Sequence, residues 1–452
     1  MARSTNGQTM NTDQLLGSDN RNRVKELGKE SFSAEDILKN LASGDCSLRR
    51  DAALSILQLD HENTFKFETT AIIDALTETL KPPTAWEGAD ALAWATCAEA
   101  ALAALHTLAD AGLESVSDDL SRSLIPFVDA SQPWSTTAAA STAARLLDRY
   151  LAEAQKRQEF ITRDLLQHYL RPIFSKSSSS ITAQGRPALY REPPPEGSFH
   201  AQKAAWKEAG PYVVTVFDWA VEASEATTIK QHWPLYVPVL VTLAEDDDVA
   251  VRQRGIDILN RFLSKCPREV LRTSGIDSVF EESVFPSLLF LPTLTPEDES
   301  VALLRSAYRT LRTLAVAADA DPAGRNRRAL LDKTLREGVL AGYLHASQHI
   351  RVVEVLMRAT AQVVEALQVY AVKHLQSLLD LFAPVLADAF ALAYVPAVVA
   401  AAQALNSTIL NCWPRIVGTP HAEHIINIPR PGDSRPGTEK DNGLDGIVVE
   451  GG

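Results

Sequence analysis

Apolar residues recur every three or four positions along most of this chain. Between residues 299 and 315, Val301, Leu304, Tyr308, Leu311 and Leu314 fall on one side of a helical wheel, and Arg305, Arg309 and Arg312 fall on the other. After the acidic stretch EDDD (residues 245–248), Ile256, Leu259, Phe262 and Leu263 share a face, Asp257 and Arg261 form an i, i+4 pair, and Cys266-Pro267 stops the helix. The alanine-rich stretch 89–112 favours helix by propensity alone. No run shows the period of two that a half-buried strand requires. The pattern predicts an all-α chain with essentially no sheet.

The helices also return in a repeat. An apolar helix with an internal proline occurs as SLIPFVD (Pro126), LYVPVLVTL (Pro238), VFPSLLFLP (Pro286) and LFAPVLADAF (Pro384). Pro238 and Pro286 are 48 residues apart, and Pro286 and Pro384 are 98 apart, close to twice that. These spacings lie just beyond the roughly 40–47 residues of HEAT and armadillo units. In the clearest copy a helix over 233–243 runs into Asp246, Asp247 and Asp248, then into a second helix opening VAVRQRG. That D-x-x-V-x-V-R arrangement resembles the HEAT consensus, in which an acidic turn caps the second helix and an arginine ties adjacent repeats. Such a unit cannot bury its apolar face alone, so the predicted architecture is a HEAT/armadillo-like helical-repeat superhelix, an α-solenoid whose function lies on its long surface.

Breaks in the pattern divide the chain. Residues 1–30 are polar and largely aperiodic, and 429–452 are rich in Gly, Pro and charge, so both are expected to be disordered tails. Residues 175–198 pair a serine run with a triple proline that no helix tolerates. They are expected to form a surface loop between an N-terminal helical block, 31–174, and a C-terminal HEAT-like block, 199–428.

Composition narrows the function. Of 452 residues, 46% are hydrophobic and 22% charged, which describes a globular protein with material for a long core. Lys plus Arg is 44 and Asp plus Glu is 57, giving a net charge of −13, the wrong sign for binding phosphate backbones, so no nucleic-acid partner is expected. Cys46, Cys97, Cys266 and Cys412 show no C-x-x-C spacing, which points to a reducing compartment with neither zinc site nor disulfide framework. The first residues lack an apolar signal core, and no uninterrupted apolar stretch reaches about 18 residues, so the expected setting is cytoplasmic, with the nucleus also open and no membrane.

Candidate chemistry is sparse. His345 and His349 have a spacing that lets both reach one metal, yet no third ligand is in register, so packing histidines are expected. The same holds for His421, Glu423 and His424. Arg325, Arg327 and Arg328 read as a solvated interhelical loop, and the acidic 245–248 turn as a helix cap. There is no phosphate-binding glycine loop, no dinucleotide fingerprint and no nucleophile elbow. Neither catalysis nor any cofactor or metal is expected. In AAWKEAGPYVVTVFDWA, Trp206 and Lys207 are candidate partner anchors, since aromatic residues with basic neighbours often anchor interfaces, although helical spacing of Val213, Phe217 and Ala220 also fits core packing. The stretch LFAPVLADAFALAYVPAVVAAAQALNSTIL is apolar over more of its circumference than one buried stripe requires, and Phe390, Tyr394 and Val398, spaced by fours, are its candidate contacts with another helical-repeat protein.

Four segments taken in order resemble one family: AAWKEAGPYVVTVFDWA, DDDVAVRQRGIDILNRFL, LRTSGIDSVFEESVFPSLLFLPTLTPEDESVALLRSAYRTL and LNSTILNCWPRI, spanning about residues 206–416. The chain is similar to the second Tel-interacting subunit (Tti-two) of the TTT co-chaperone complex, in a fungal-like version. The resemblance implies a non-enzymatic helical-repeat scaffold whose partners are the other TTT subunits and, indirectly, the ninety-kilodalton heat-shock chaperone machinery and the phosphatidylinositol-3-kinase-related kinases it matures. Such chains usually continue as helix past the CWPRI segment, whereas IINIPRPGDSRPG breaks the pattern here, so a truncated or alternatively spliced end with an uncapped last repeat is expected. The alternative is a generic HEAT adaptor for nuclear transport or phosphatase assembly, which regular arginine ladders would favour and the irregular spacing disfavours.

Overall fold

A computed structural model describes residues 12–28, 33–58, 69–82, 89–112, 117–174, 206–388 and 391–428. Every regular element among them is helical. The chain falls into two compact units, 1–283 and 284–452. Both are all-α, and in each the long helices pack mainly against near neighbours in sequence, as the helical-repeat pattern requires.

Helix starts follow local chemistry. Ser33 and Asp36 form a capping box, with the Asp36 amide donating to Ser33 Oγ at 3.2 Å and the Ser33 amide to Asp36 Oδ2 at 3.3 Å. Ser117 and Thr136 accept from the amides of Leu120 and Ala139, each at 3.1 Å. Gly275, at φ 74°, closes the Arg268–Ser274 helix in the left-handed conformation. The recurring prolines prove heterogeneous. Pro126 and Pro286 enter short 3-10 turns, Ile125–Phe127 and Phe285–Leu289, whereas Pro238 and Pro384 lie inside α-helices, the first downstream of a kink at His232.

The clearest predicted unit is present as Ala226–Ala244 and Val249–Lys265. Asp248 caps the second helix, accepting from the amides of Ala250 at 2.9 Å and Val251 at 3.1 Å. Buried Arg252 donates to the Asp246 carbonyl at 2.8 Å and the Glu245 carbonyl at 3.1 Å, stitching the turn that precedes its own helix. The two helices touch at Gly255, where a Cβ would lie 2.6 Å from the Leu243 backbone, so only a missing side chain permits the approach. A row of rings, Phe217, Tyr236, Phe262 and Phe280, runs through this core with successive centroids 6.4, 5.6 and 6.1 Å apart.

Three expectations need correction. Residues 12–28 are not a disordered tail: they form helices Thr12–Leu15 and Ser18–Leu27, held by buried Glu99. Its carboxylate accepts from the Gly17 amide at 2.7 Å and from Asn20 Nδ2 at 2.8 Å, while Arg50 donates to Asn20 Oδ1 at 2.6 Å. Buried Leu15, Leu16 and Leu27 add apolar contact, but three widely spaced positions beside a polar clasp leave no hydrophobic periodicity to register. Secondly, the 175–198 segment lies outside the described residues, as does the 429–452 tail, but the helices flanking 175–198 belong to one unit. Phe174 stacks on Trp206 with centroids 5.8 Å apart, Phe160 meets Trp219 edge-on at 6.4 Å, Gln158 Nε2 donates to the Ala223 carbonyl at 3.0 Å, and Arg254 lies 3.5 Å from Asp129. The division at 283/284 therefore replaces the one read from the Ser/Pro tract. Thirdly, Arg325, Arg327 and Arg328 open the helix Arg325–Lys333 and are not a solvated loop. Arg327 is buried and donates to the carbonyls of Ala320 at 3.0 Å and Ala366 at 2.8 Å, and Arg328 lies 4.6 Å over the Tyr370 ring.

Candidate functional site

In the 284–452 unit the helix Glu297–Ala318 packs on Ile350–Leu367, and that helix packs on Val395–Ile416. The inner stripe of Val395–Ile416 is Ala397, Ala400, Ala401, Ala404, Thr408 and Cys412, all buried. Small side chains let the backbones approach, and two polar residues are satisfied within the contact: Ser407 Oγ donates to Glu365 Oε1 at 2.9 Å, and Thr408 Oγ1 to the Ala404 carbonyl at 2.8 Å.

The outer stripe of the same helix carries apolar residues towards both ends, with exposed Ala402, Gln403 and Asn406 between them. Val395, Val399, Leu410 and Trp413 are exposed, Leu410 at 65% and Trp413 at 60% of their full area, and Val417 and Ile426 are exposed beyond the helix end. No Asp, Glu, Lys or Arg occurs from Val395 to Pro414. A solvated helical face normally carries charge, and exposed apolar clusters on a face without it mark a contact site.

The residues singled out from the sequence distribute unevenly. Phe390 lies outside the described residues. Tyr394 and Val398 are half-buried, one helical step around from the exposed stripe. The Tyr394 hydroxyl donates to Glu354 Oε2 at 2.7 Å, and the same carboxylate takes Arg358 Nε at 2.7 Å and lies 3.6 Å from Arg305. Burial alone would raise the Glu354 pKa, but the hydrogen bonds from Tyr394 and Arg358 hold it below the usual carboxylate value. Bonding to that carboxylate in turn raises the Tyr394 phenol. Trp206 is only 3% exposed and belongs to the core of the other unit, and Lys207 pairs with buried Asp246 at 2.9 Å. The structure therefore brings Tyr394 and Val398 to the edge of the apolar face and places Trp206 and Lys207 elsewhere. Leu410 and Trp413 were missed because the four-residue spacing was projected from Phe390, which selects a stripe rotated about 100° from the bare one.

The other candidates are structural. Cys97, Cys266 and Cys412 are buried, and burial pushes their thiols up to about 12, 12 and 11, far from the thiolate a nucleophile needs. His349 precedes the helix Ile350–Leu367, and His345 lies in the short helix Ala341–Ala346. Among the described residues no cluster of three or more His, Cys, Asp or Glu side chains is arranged to hold a metal ion.

The model of the Tti2 family matches residues 120–393. The chain belongs to the Tti2 family. That family is one of subunits of the TTT complex. The matched span ends two residues before the helix Val395–Ile416, so that face is read from its geometry alone. Among solved structures the chain is similar to a Kap121p mutant at 12% identity with a TM-score of 0.40, covering 90% of this chain and 44% of that one. The chain thus spans less than half the length of that protein.

Proposed function

We propose that this member of the Tti2 family is a non-catalytic scaffold that docks an uncharged helical face of another TTT subunit on the outer stripe of Val395–Ile416. The observation that carries the reading is the pairing of a fully packed alanine stripe with exposed Val395, Val399, Leu410 and Trp413 on one helix that carries no charge before Arg415. In a helical-repeat stack a helix apolar on both faces is covered on both, and the second cover here comes from a partner. Through that assembly the chain supports maturation of phosphatidylinositol-3-kinase-related kinases by the heat-shock chaperone system in the cytoplasm.

The test is co-purification of the tagged full chain with the other TTT subunits, comparing Leu410→Asp/Trp413→Asp with Tyr394→Phe. Loss of the partner in the first variant, with unchanged helicity and retention in the second, is the expected result. Retention in both overturns the placement. By length and composition this helix and Ala91–Asp110 could also cross a bilayer; flotation of the purified chain with neutral phosphatidylcholine vesicles would replace the docking reading with a membrane one.

A further inference from the structure

The helix Val395–Ile416 ends in exposed apolar side chains beside a single cation. Leu410, Trp413 and Val417, three and four positions apart, are exposed, and Arg415, also exposed, stands among them in the last turn. Arg415 is the only lysine or arginine from Val395 to Ile428, and among the described residues no carboxylate lies within ion-pairing distance of it. The only acid of that span, Glu423, is on the next helix, Pro420–Ile426. The guanidinium is therefore unpaired, next to side chains that water solvates poorly.

The sequence beyond Ile428 carries the matching chemistry. From Pro429 to Gly443 there is no Ala, Val, Leu, Ile, Met, Phe, Tyr or Trp, and then Leu444, Ile447, Val448 and Val449 come together. Asp441, Asp445 and Glu450 flank and interrupt this group, with no lysine or arginine from Asp441 to Gly452. A polar spacer thus leads to one apolar, acidic segment, and grouped branched side chains gain free energy by leaving water. Leu444 follows Ile428 by 16 positions, a reach of up to about 55 Å, whereas a helix the length of Val395–Ile416 is about 33 Å long. The spacer is therefore long enough for the segment to meet the exposed end of the helix, and a tether of this kind holds it at an effective concentration on the order of millimolar.

We propose that residues 444–449 fold back onto the end of Val395–Ile416, setting their apolar side chains against Leu410, Trp413 and Val417 and a flanking carboxylate beside Arg415, and so compete with the partner for that face. The regulatory part of this inference rests on the docking reading above; the contact itself rests on this chain alone. Six residues bury little area, so the contact is weak and depends on the tether. A segment that covers the face part of the time lowers the apparent affinity of a partner by the fraction of time the face is free. It also shields apolar side chains until a larger, better-matched surface displaces it.

The test titrates the full chain with a fluorescein-labelled peptide of residues 441–452, followed by anisotropy. The parent's own segment competes, so the peptide should bind it about fivefold more weakly than it binds Ile447→Asp/Val448→Asp, in which that segment is disabled. Added to that variant, Leu410→Asp/Trp413→Asp should abolish peptide binding at unchanged helicity, and Arg415→Glu should weaken it about threefold, less so at high salt. A peptide with its three acids replaced by lysines should reverse the preference and favour Arg415→Glu, an exchange that misfolding does not produce. Equal peptide affinity for parent and Ile447→Asp/Val448→Asp, binding that survives Leu410→Asp/Trp413→Asp, or no binding up to about 1 mM would each overturn the proposal. Co-purification of the other TTT subunits separates the two readings: Ile447→Asp/Val448→Asp should retain about threefold more of them. If the peptide results hold while those subunits ignore both this variant and Leu410→Asp/Trp413→Asp, the docking reading fails and the fold-back contact stands.

Discussion

Two helices of this chain, Ala89–Asp110 and Val395–Ile416, are matched in length and nearly so in character. Both are 22 residues long, rich in alanine and apolar enough to pass for bilayer-crossing segments by composition. Yet 67% of the apolar stretch in the first is buried, against 39% in the second. The first lies inside its unit with helices on several sides and uses Glu99, a charge at its centre, to hold the Ser18–Leu27 helix. The second is packed along one stripe and left bare along the other. Apolar composition therefore makes a core helix only where enough neighbours surround it; where they are missing, the same composition makes an adhesive surface.

The strongest way to break this comparison is to charge the inner faces. Ala101→Asp and Ala404→Asp each bury an unpaired carboxylate, and both should cost upwards of about 4 kcal/mol, read as a fall in the urea midpoint. If Ala404→Asp were tolerated, the inner stripe of the second helix would not be packed. Truncating leucines sharpens the contrast. Leu102→Ala should cost about 3 kcal/mol, and Leu410→Ala less than about 0.5 kcal/mol, in the same denaturation experiment.

A smaller effect is expected at the edge of the bare face. Tyr394→Phe removes a hydrogen bond to a buried carboxylate and should cost about 1–2 kcal/mol near neutral pH. Because the folded-state pKa of Glu354 is depressed, its contribution is present above the unfolded carboxylate value and is lost as pH falls through the folded one. Tyr394→Phe takes away one of the groups holding that pKa down, so the acid loss should start at the same unfolded-state value but be smaller and end at a higher pH, as a stability-versus-pH series will report. Smallest of all in stability is Leu410→Asp/Trp413→Asp, within about 0.5 kcal/mol of the parent, while binding of an apolar dye such as ANS drops.

Much of the fold was legible in the sequence because one interaction, burial of a helical stripe, wrote it there. The 3.6-residue period located Glu297–Ala318 and Val249–Lys265, the acidic run located the cap at Asp248, and order along the chain carried the family resemblance. What remained hidden was contact between groups with no periodic signature. Asn20, Arg50 and Glu99 tie a polar segment into the core from positions far apart in sequence. Phe174 and Trp206 close a unit across a tract that reads as a boundary.

The apolar face shows both limits at once. From sequence alone it follows that 395–414 is helical, uncharged and apolar over more of its circumference than one buried stripe requires. Which of its stripes faces inward was decided by where the helix Ile350–Leu367 lies, since a helix with two apolar faces satisfies the hydrophobic effect equally well in either orientation. Only the tertiary packing breaks that symmetry. It seats the alanines, whose small side chains allow close approach, and leaves Leu410 and Trp413 outside, where their burial waits on a second surface.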